Sequence, residues 1–193
     1  MATQCDILLA GVGGQGILTI AGIIDEAALA AGLHLKQSEV HGMAQRGGAV
    51  IAHLRISDRP IFSDLIPARG ADLLVAMEPL EALRQREYLK SGGTLVVNTT
   101  PVRNIPDYPD LEEVFATLRR VGTCRLLDAD SLAAAAGSKR AMNVVLLGAA
   151  SRQIPIAPER FQEVIRRRFA RKGEAVVNVN LKAFSAGRRA VKG

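Results

Sequence analysis

The feature that most constrains the fold is a glycine-rich turn between an apolar run and an apolar helical pattern. Residues 7–10 are apolar, residues 11–16 read Gly-Val-Gly-Gly-Gln-Gly, and apolar residues then recur at helical spacing over residues 17–28. Glycines permit a tight turn and let the backbone approach a ligand. A helix that starts there directs unpaired N–H groups and its positive dipole end at the same point. This order predicts a strand, an anion-binding turn and a helix, with a phosphate, a pyrophosphate or a carboxylate as the ligand.

The same glycines admit two further interpretations. Gly11, Gly13 and Gly16 fit the G-x-G-x-x-G spacing of dinucleotide-binding folds, which place an acidic residue about 20 positions further on for the ribose hydroxyls. That count leads to Lys36, and Glu39 lies beyond the expected strand end. A lysine favours a ligand with additional negative charge. In the other interpretation the glycines only let the helix pack tightly on the sheet.

The rest of the chain alternates strands and helices. This alternation predicts one three-layer α/β/α, Rossmann-like domain over residues 1–193, with a mostly parallel or mixed sheet. Too few residues join the expected strands 34–38 and 47–57 for a helical crossover, so these two are expected to be antiparallel. The other expected strands are 6–10, 71–77, 94–98 and 123–127. The other expected helices are 79–90, 111–121, 132–136 (capped by Asp130 or Ser131), 141–152, 159–172 and 175–190.

A second unusual segment, residues 39–48, lies between those two strands and contains three glycines, His41 and Arg46. Loops of such composition tend to carry function. Arg46 offers a planar fork of donors for a carboxylate or a phosphate. Gly47 and Gly48 would let backbone N–H groups approach an anion. The alternative is a well-packed connection in which Arg46 pairs with a local acid.

The net charge of +6 is distributed unevenly, with −4 over residues 1–138 and +10 over residues 139–193. A basic C-terminal third can meet nucleic acid, an acidic partner or an anionic cofactor tail, or can simply be a solvated basic face. The chain has no Trp, and Phe161, Phe169 and Phe184 lie at positions expected in the core. Nucleic acid is therefore not predicted as a partner, because aromatic platforms for stacking bases are absent from the sequence.

The counts of cysteine and histidine argue against a metal site. Cys5 and Cys124 are expected to be buried, reduced thiols, and two cysteines cannot form a four-thiolate cluster or zinc site. The three histidines lack metal-ligand spacing, and His53 and Arg55 share one strand face where packing or an interface is expected.

No apolar run approaches the roughly 18 residues of a membrane span, and the first residues lack the basic region of a signal peptide. A cytoplasmic protein without a membrane partner is predicted.

The two motifs together resemble the gamma-type subunits of 2-oxoacid:ferredoxin oxidoreductases, over roughly residues 5–185. The two motifs that carry the resemblance are Gly-Val-Gly-Gly-Gln-Gly at 11–16 and the more specific His-Gly-Met-Ala-Gln-Arg-Gly-Gly at 41–48. Residues 36–40, the strand Val-Ile-Ala-His-Leu-Arg at 50–55, Asn143 and Leu-Leu-Gly-Ala at 146–149 are also similar to the family. Within it, the subunits acting on indolepyruvate are the most similar.

The resemblance implies a reaction and a division of labour. An aryl 2-oxoacid such as indolepyruvate would lose CO₂ on thiamine diphosphate, two electrons would pass through iron–sulfur clusters to ferredoxin, and coenzyme A would take the acyl group. Thiamine diphosphate and the clusters would belong to a large partner subunit. This chain would complete the active site and hold part of coenzyme A, and alone it would be inactive.

Within that role, Gly13, Gly14, Gln15 and Gly16 would supply backbone donors, Lys36 a point charge and Arg46 a fork. His41 is the candidate to face the substrate, with a structural role as its alternative, and no other catalytic residue is assigned. Two other functions stay open: a stand-alone nucleotide-binding oxidoreductase with Glu39 on the ribose, and a non-catalytic module docked through its basic third. The sequence leaves the 2-oxoacid, the electron acceptor and a homodimer of the chain undecided.

Overall fold

The computed structural model describes residues 3–42 and 47–191. Its strands are β1 (Gln4–Val12), β2 (His34–His41), β3 (Ala49–Ser57), β4 (Ala71–Ala76), β5 (Leu89–Asn98) and β6 (Thr123–Leu127). Its α-helices are α1 (Ile17–Ala30), α2 (Pro79–Arg84), α3 (Leu111–Leu118), α4 (Ala129–Ala136), α5 (Met142–Ala150), α6 (Pro158–Phe169) and α7 (Glu174–Ala190). Short 3₁₀ turns cover residues 86–88, 139–141 and 170–172.

The six strands form one sheet in the order β2-β3-β1-β4-β5-β6. Strands β1, β4, β5 and β6 run parallel to one another. Strand β3 is antiparallel to both of its neighbours, β1 and β2. The short link between β2 and β3 forces this pairing, since a parallel neighbour needs a crossover of a dozen or more residues. The sequence prediction of an antiparallel β2–β3 pair is confirmed.

Alternate residues of the strands belong to two apolar cores on opposite faces of the sheet. Ile7 and Leu9 of β1 pack with α1 and with the helices α4, α5, α6 and α7. Leu8 and Ala10 face the other way and pack with α2 and α3. Helices on both faces of a mostly parallel sheet are the predicted three-layer arrangement, which is thereby confirmed.

Helix α5 is buried along its whole length, because α7 covers the side that does not face the sheet. The two helices approach at backbone distance. A Cβ atom built on Gly187 would lie 1.8 Å from the carbonyl oxygen of Val145, and one on Gly148 would lie 2.1 Å from that of Phe184. Only hydrogen atoms fit at these two positions, so the glycines fix how closely the C-terminal helix sits on the core.

Helix α6 buries apolar residues in the core that it shares with α1, and ion pairs at its end add a second attachment. Arg167 and Arg168 both bind the Glu26 carboxylate, the latter at 2.7 Å, and the Arg168 guanidinium lies over Gly22. The neighbouring Asp25 has a buried Oδ1 that finds no hydrogen-bond partner among the described residues. Burial, and next the charge of Glu39, raise the pKa of Asp25 to about 7.

Three local predictions were wrong. The second strand was expected to end at residue 38, but β2 runs to His41 and so contains Glu39, which pairs with Ala52. The helix expected over 79–90 ends at Arg84, because Leu89 already pairs with Ala71 in the sheet and Tyr88 stacks edge-on against the His53 ring at 5.5 Å. The helix expected from residue 132 begins at Ala129 and is capped by Asp128, which accepts from the backbone N–H of Ser131. Tertiary contacts override local propensity in the first of these helices, whereas in the second a local cap lies earlier in the chain than expected.

The two thiols are far apart. Cys5 is buried on β1, and burial raises its pKa to about 12. Cys124 is half-buried on β6 and belongs to the core on the opposite face of the sheet. Two strands separate β1 from β6, so the thiols cannot share a ligand. Among residues 3–42 and 47–191, no helix combines the length and the apolar character needed to cross a bilayer.

We expect Gly187→Ala to lower the free energy of unfolding by about 1–3 kcal/mol, because the added methyl group pushes α7 away from α5. Helix propensity alone would predict the opposite sign. Urea unfolding followed by circular dichroism measures the difference. Lys182→Ala, at an exposed position of the same helix, is the control and should stay within about 0.5 kcal/mol of the parent. A stabilised Gly187→Ala chain would contradict the close crossing.

Asp25→Asn should stabilise the chain at pH 8 and leave it nearly unchanged at pH 4. A carboxyl pKa raised to about 7 means that the folded state favours the protonated form. Its contribution is therefore complete at acid pH and is lost as pH rises through 7. We expect a gain of about 1–2 kcal/mol at pH 8, since partial exposure reduces the effect. Glu26→Gln, which removes an ion-paired acid from the same helix, should instead destabilise slightly. Identical pH profiles for Asp25→Asn and the parent would refute the buried charge.

Candidate functional site

The glycine turn leaves the sheet at the carboxyl end of β1 and leads directly into α1. Gly16 is the N-cap of that helix with φ 81°, and Gly14 has φ 98°. Both values lie in the left-handed region that favours glycine. Nothing lies within 4 Å of the place where a Cβ of Gly14 would be, so this residue faces open space.

The side chain of Gln15 folds back and closes the turn. Its Oε1 accepts from the backbone N–H of Val12 at 2.8 Å, and its Nε2 donates to the carbonyl of Met77 at 3.1 Å. Gln15 thus ties the turn to the end of β4. Gly11 is needed for this packing, since a Cβ there would lie 2.8 Å from the Gln15 Oε1 and 3.0 Å from Met77.

Only part of the turn has N–H groups to offer a ligand. The N–H of Gly13 donates to the carbonyl of Gly48 at 2.9 Å, and that of Gln15 donates to Val12. The N–H groups of Gly14, Gly16 and the first two residues of α1 have no acceptor among the described residues. The helix has no side-chain cap and no acid in its first turn. Its N-terminus therefore keeps its capacity to bind an anion.

A cavity of about 700 Å³ opens beside this end of α1. We call it the loop pocket. It lies between residues 14–19, the α4–α5 junction and the start of α7, and it is lined in part by Arg140 and Lys172. Both cations are exposed, and among residues 3–42 and 47–191 no acid forms an ion pair with either. The Lys172 Nζ lies 5.5 Å from the centre of the Phe169 ring.

Asn143 joins the glycine turn to α5. It is only 8 % exposed, and its Nδ2 donates to the carbonyl of Gly16 at 3.1 Å. A Cβ on Gly16 would lie 2.3 Å from that nitrogen, so the contact requires glycine there. The sequence signal for this role is a single polar residue at the start of an otherwise apolar helix.

The second motif meets the first at this edge of the sheet. Val12 pairs with Ala49 across β1 and β3, which brings Gly48 against Gly13. The carbonyl of Gly47 accepts from the Asn104 Nδ2 at 2.6 Å. Gly47 and Gly48 therefore lie beside the glycine turn, where the Gly48 carbonyl accepts from the turn and the Gly47 carbonyl accepts from Asn104. Residues 43–46, including Arg46, and the side chain of His41 lie outside the described residues, so their predicted roles stay predictions.

A buried glutamate holds the segment that carries Asn104. Glu78 is 1 % exposed and caps α2 by accepting from the backbone N–H of Glu81. Its other carboxylate oxygen accepts from the N–H of Val102 and from the hydroxyl of Tyr108. Burial, and next the hydrogen bond to Glu78, raise the pKa of Tyr108, so the hydroxyl stays a donor. The end of β4 thus supports both motifs.

Lys36 is not brought to the glycine turn. It pairs with Arg55 on β3, and Arg55 pairs with Asp6 on β1. Asp6 precedes Gly11 by five residues, which is about 16 Å along a strand. Lys36 therefore lies toward the opposite end of the sheet, and a role for it in holding the same anion stays a prediction. Arg140 and Lys172 are the cations that sequence reasoning missed, because only tertiary packing brings them to the turn.

The position of Glu39 disfavours a stand-alone dinucleotide enzyme. In dinucleotide-binding folds the strand that carries the ribose-binding acid lies next to the first strand. Here β3 separates β2 from β1, so Glu39 is two strands away from the glycine turn. Within the described residues, no group of three or more His, Cys, Asp or Glu side chains is placed to hold a metal ion.

Comparison with curated proteins finds relatives along almost the whole chain. The subunit IorB of indolepyruvate oxidoreductase from Pyrococcus horikoshii is 40% identical over 98% of this chain and 96% of its own length. IorB of Archaeoglobus fulgidus is also 40% identical, over 95% of this chain and 94% of its own length. A 2-oxoglutarate synthase subunit, KorC of Methanothermobacter marburgensis, is 31% identical over 96% of each chain.

Solved structures with the same fold include the 2-oxoglutarate:ferredoxin oxidoreductase of Magnetococcus marinus, which holds 2-oxoglutarate, coenzyme A and succinyl-CoA. It is 25% identical with a TM-score of 0.79, covering 97% of this chain and 31% of that longer one. The gamma subunit of a keto/oxoacid ferredoxin oxidoreductase from Geobacter sulfurreducens is 26% identical with a TM-score of 0.71, covering 97% of this chain and 96% of that one. The family model for pyruvate ferredoxin/flavodoxin oxidoreductases matches residues 6–190. This chain therefore belongs to the pyruvate ferredoxin/flavodoxin oxidoreductase family.

Proposed function

We propose that this chain is the smaller subunit of a 2-oxoacid:ferredoxin oxidoreductase that acts on indolepyruvate or another aryl 2-oxoacid. The reaction converts a 2-oxoacid and coenzyme A to acyl-CoA and CO₂ and delivers two electrons to ferredoxin. Support for the substrate class comes from the two IorB relatives at 40% identity. We place the assembled enzyme in the cytoplasm.

Thiamine diphosphate and the iron–sulfur clusters belong, in this proposal, to a larger partner subunit. A cluster usually takes four thiolates, whereas this chain has two cysteines on opposite faces of its sheet. The chain's own contribution is electrostatic. It presents the first N–H groups of α1 and two cations, none of which has a hydrogen-bond or ion-pair partner within residues 3–42 and 47–191, to a ligand that carries several phosphate charges.

The loop pocket is where we expect coenzyme A to be held. Its volume of about 700 Å³ falls within the usual range of ligand pockets, about 300–1,000 Å³. The single observation that carries this assignment is that the uncapped N-terminus of α1 and the unpaired Arg140 and Lys172 line the same cavity. Gly14 and Gly16 would donate backbone N–H groups, Arg140 a planar fork and Lys172 a point charge. Coenzyme A, when bound, supplies the thiol that accepts the acyl group.

The protein's part in the reaction follows from those contacts. The fixed donors bind the phosphates and orient the molecule without rearrangement, because Gln15 and Asn143 already hold the turn. The phosphates are remote from the reacting thiol, so their binding energy serves positioning. Removing one cation should therefore raise the KM for coenzyme A and leave the KM for the 2-oxoacid unchanged.

We expect Arg140→Ala in the assembled enzyme to weaken coenzyme A binding about fivefold to thirtyfold, or about 1–2 kcal/mol. Lys172→Ala should weaken it about twofold to fivefold, since an exposed point charge contributes less. Isothermal titration of each complex with coenzyme A, and KM values for both substrates, measure the effects. Lys182→Ala, an exposed lysine outside the loop pocket, is the control.

The same titration tests the cations predicted from sequence. If Lys36→Ala or Arg46→Ala weakens coenzyme A binding while Arg140→Ala and Lys172→Ala do not, the anion lies elsewhere and the loop pocket is the wrong site. Tight binding of NAD by the chain alone would instead favour the nucleotide-binding oxidoreductase. Absence of 2-oxoacid oxidation by any complex that contains the chain would reject the proposed activity.

A further inference from the structure

One region of the sheet is covered by a loop rather than by helices. On the face that carries α2, that helix packs against β1, β4 and β5. Over β3 the same face carries residues 58–70, which connect β3 to β4 without regular secondary structure. We call this segment the Phe62 loop, because Phe62 at its centre is 94% exposed. Leu65 of the same loop is 53% exposed.

The Phe62 loop is fixed in its middle. The Arg55 guanidinium binds the Asp6 carboxylate at 2.9 and 3.1 Å and also donates to the carbonyls of Ser63 and Leu65, both at 3.3 Å. Arg55 thus connects the sheet to the loop backbone on either side of Asp64. For Arg55, whose strand face was predicted to serve packing or an interface, the structure shows packing against this loop.

A histidine and a buried isoleucine add a second attachment. The His53 Nδ1 accepts from the backbone N–H of Ile66 at 3.2 Å, and Ile66 is 2% exposed. Burial lowers the pKa of His53, so the neutral, accepting ring is the form present at neutral pH. Hydrogen bonds also hold the two ends of the loop. The N–H of Asp58 donates to the carbonyl of Thr3, and the N–H of Arg69 donates to the carbonyl of Glu87.

These attachments fix the loop backbone close to Phe62, whose ring lies in water. A free loop would turn such a ring inward, because burying a phenylalanine is favourable. Exposed aromatic side chains on a fixed backbone are typical anchors of protein interfaces, because the cost of ordering the backbone is met before binding. Val40 extends the apolar surface on this face: it pairs with Ile51, which points to the same side as His53 and Arg55, and it is 55% exposed.

We propose that the Phe62 loop is the docking anchor for the larger subunit of the oxidoreductase, with the Phe62 ring seated in an apolar pocket of that partner. The inference rests on the proposed function, because it takes the partner from there. It adds the surface through which the two subunits meet. It also adds the chemistry of the partner's side, which is an uncharged pocket with a polar rim.

The charges of the loop favour a protein pocket over other occupants. Asp58, Arg59, Asp64 and Arg69 alternate in sign and cancel, whereas nucleic acid and anionic membranes select net positive surfaces. In the Magnetococcus marinus enzyme the same fold forms about 31% of a longer chain, which shows that this unit occurs joined to much additional protein. A second copy of this chain is the alternative occupant.

The test compares Phe62→Ser with Leu29→Ser, which removes a side chain that is 62% exposed near the end of α1. Each purified variant is titrated against the larger subunit by biolayer interferometry, and each is checked by thermal unfolding. We expect Phe62→Ser to weaken the complex at least tenfold, Leu29→Ser to change it less than twofold, and both to unfold within about 2 °C of the parent. At saturating concentrations the Phe62→Ser complex should regain the parent KM for coenzyme A.

Other outcomes separate the inference from the proposed function. If the parent binds the larger subunit and the complex oxidises the 2-oxoacid, but Phe62→Ser binds within twofold of the parent, the anchor is refuted and the function stands. If the isolated chain is a dimer that Phe62→Ser converts to a monomer without affecting the larger subunit, the occupant is a second copy and the inference fails. If the parent does not bind the larger subunit, both fail together.

Discussion

The side chain of Gln15 is the interaction on which the site depends. It accepts from the N–H of Val12 and donates to the carbonyl of Met77, so it connects the last residue of β1 to the end of β4. The chain must reverse direction at this point, and glycines alone would leave the turn with many conformations. With Gln15 in place the turn is rigid, and α1 begins in a fixed direction. Asn143 supports the turn in the same way from α5, because its side chain donates to the carbonyl of Gly16.

The antiparallel strand β3 gives the sheet its functional asymmetry. Because β3 lies between β1 and β2, the carboxyl edge of β1 is flanked by the start of β3, and the second motif arrives beside the glycine turn. The same insertion moves β2 away from β1, which removes the usual position for a ribose-binding acid. One topological change thus removes a feature of dinucleotide sites, which agrees with the proposal that the glycine turn binds a different anion.

The two faces of the sheet differ in how they are closed. On the face that carries α1, Gly148 and Gly187 allow α5 and α7 to pack at backbone distance, and every residue of α5 is buried. On the other face, α2 and α3 stop short of β2 and β3, and Arg55 and His53 hold a loop in their place. A face covered by closely packed helices and a face that carries an exposed aromatic ring are what we expect of a subunit that folds alone and then docks.

The sequence by itself determined the elements whose signals are local. The glycine turn depends on backbone geometry, and its predicted place between a strand and a helix agrees with the structure. The antiparallel β2–β3 pair also follows from chain length alone. The resemblance to a family came from two short motifs, which are local as well.

Tertiary structure decided whatever depends on residues distant in the chain. Arg140 and Lys172 meet the glycine turn only because α5, α6 and α7 fold back over α1, and no local pattern marks a cation as unpaired. Lys36 was placed by counting along the chain, whereas the sheet register places it beside Arg55. Distances along the sequence specify strands and turns, but the packing of helices on the sheet decides which charges share a cavity.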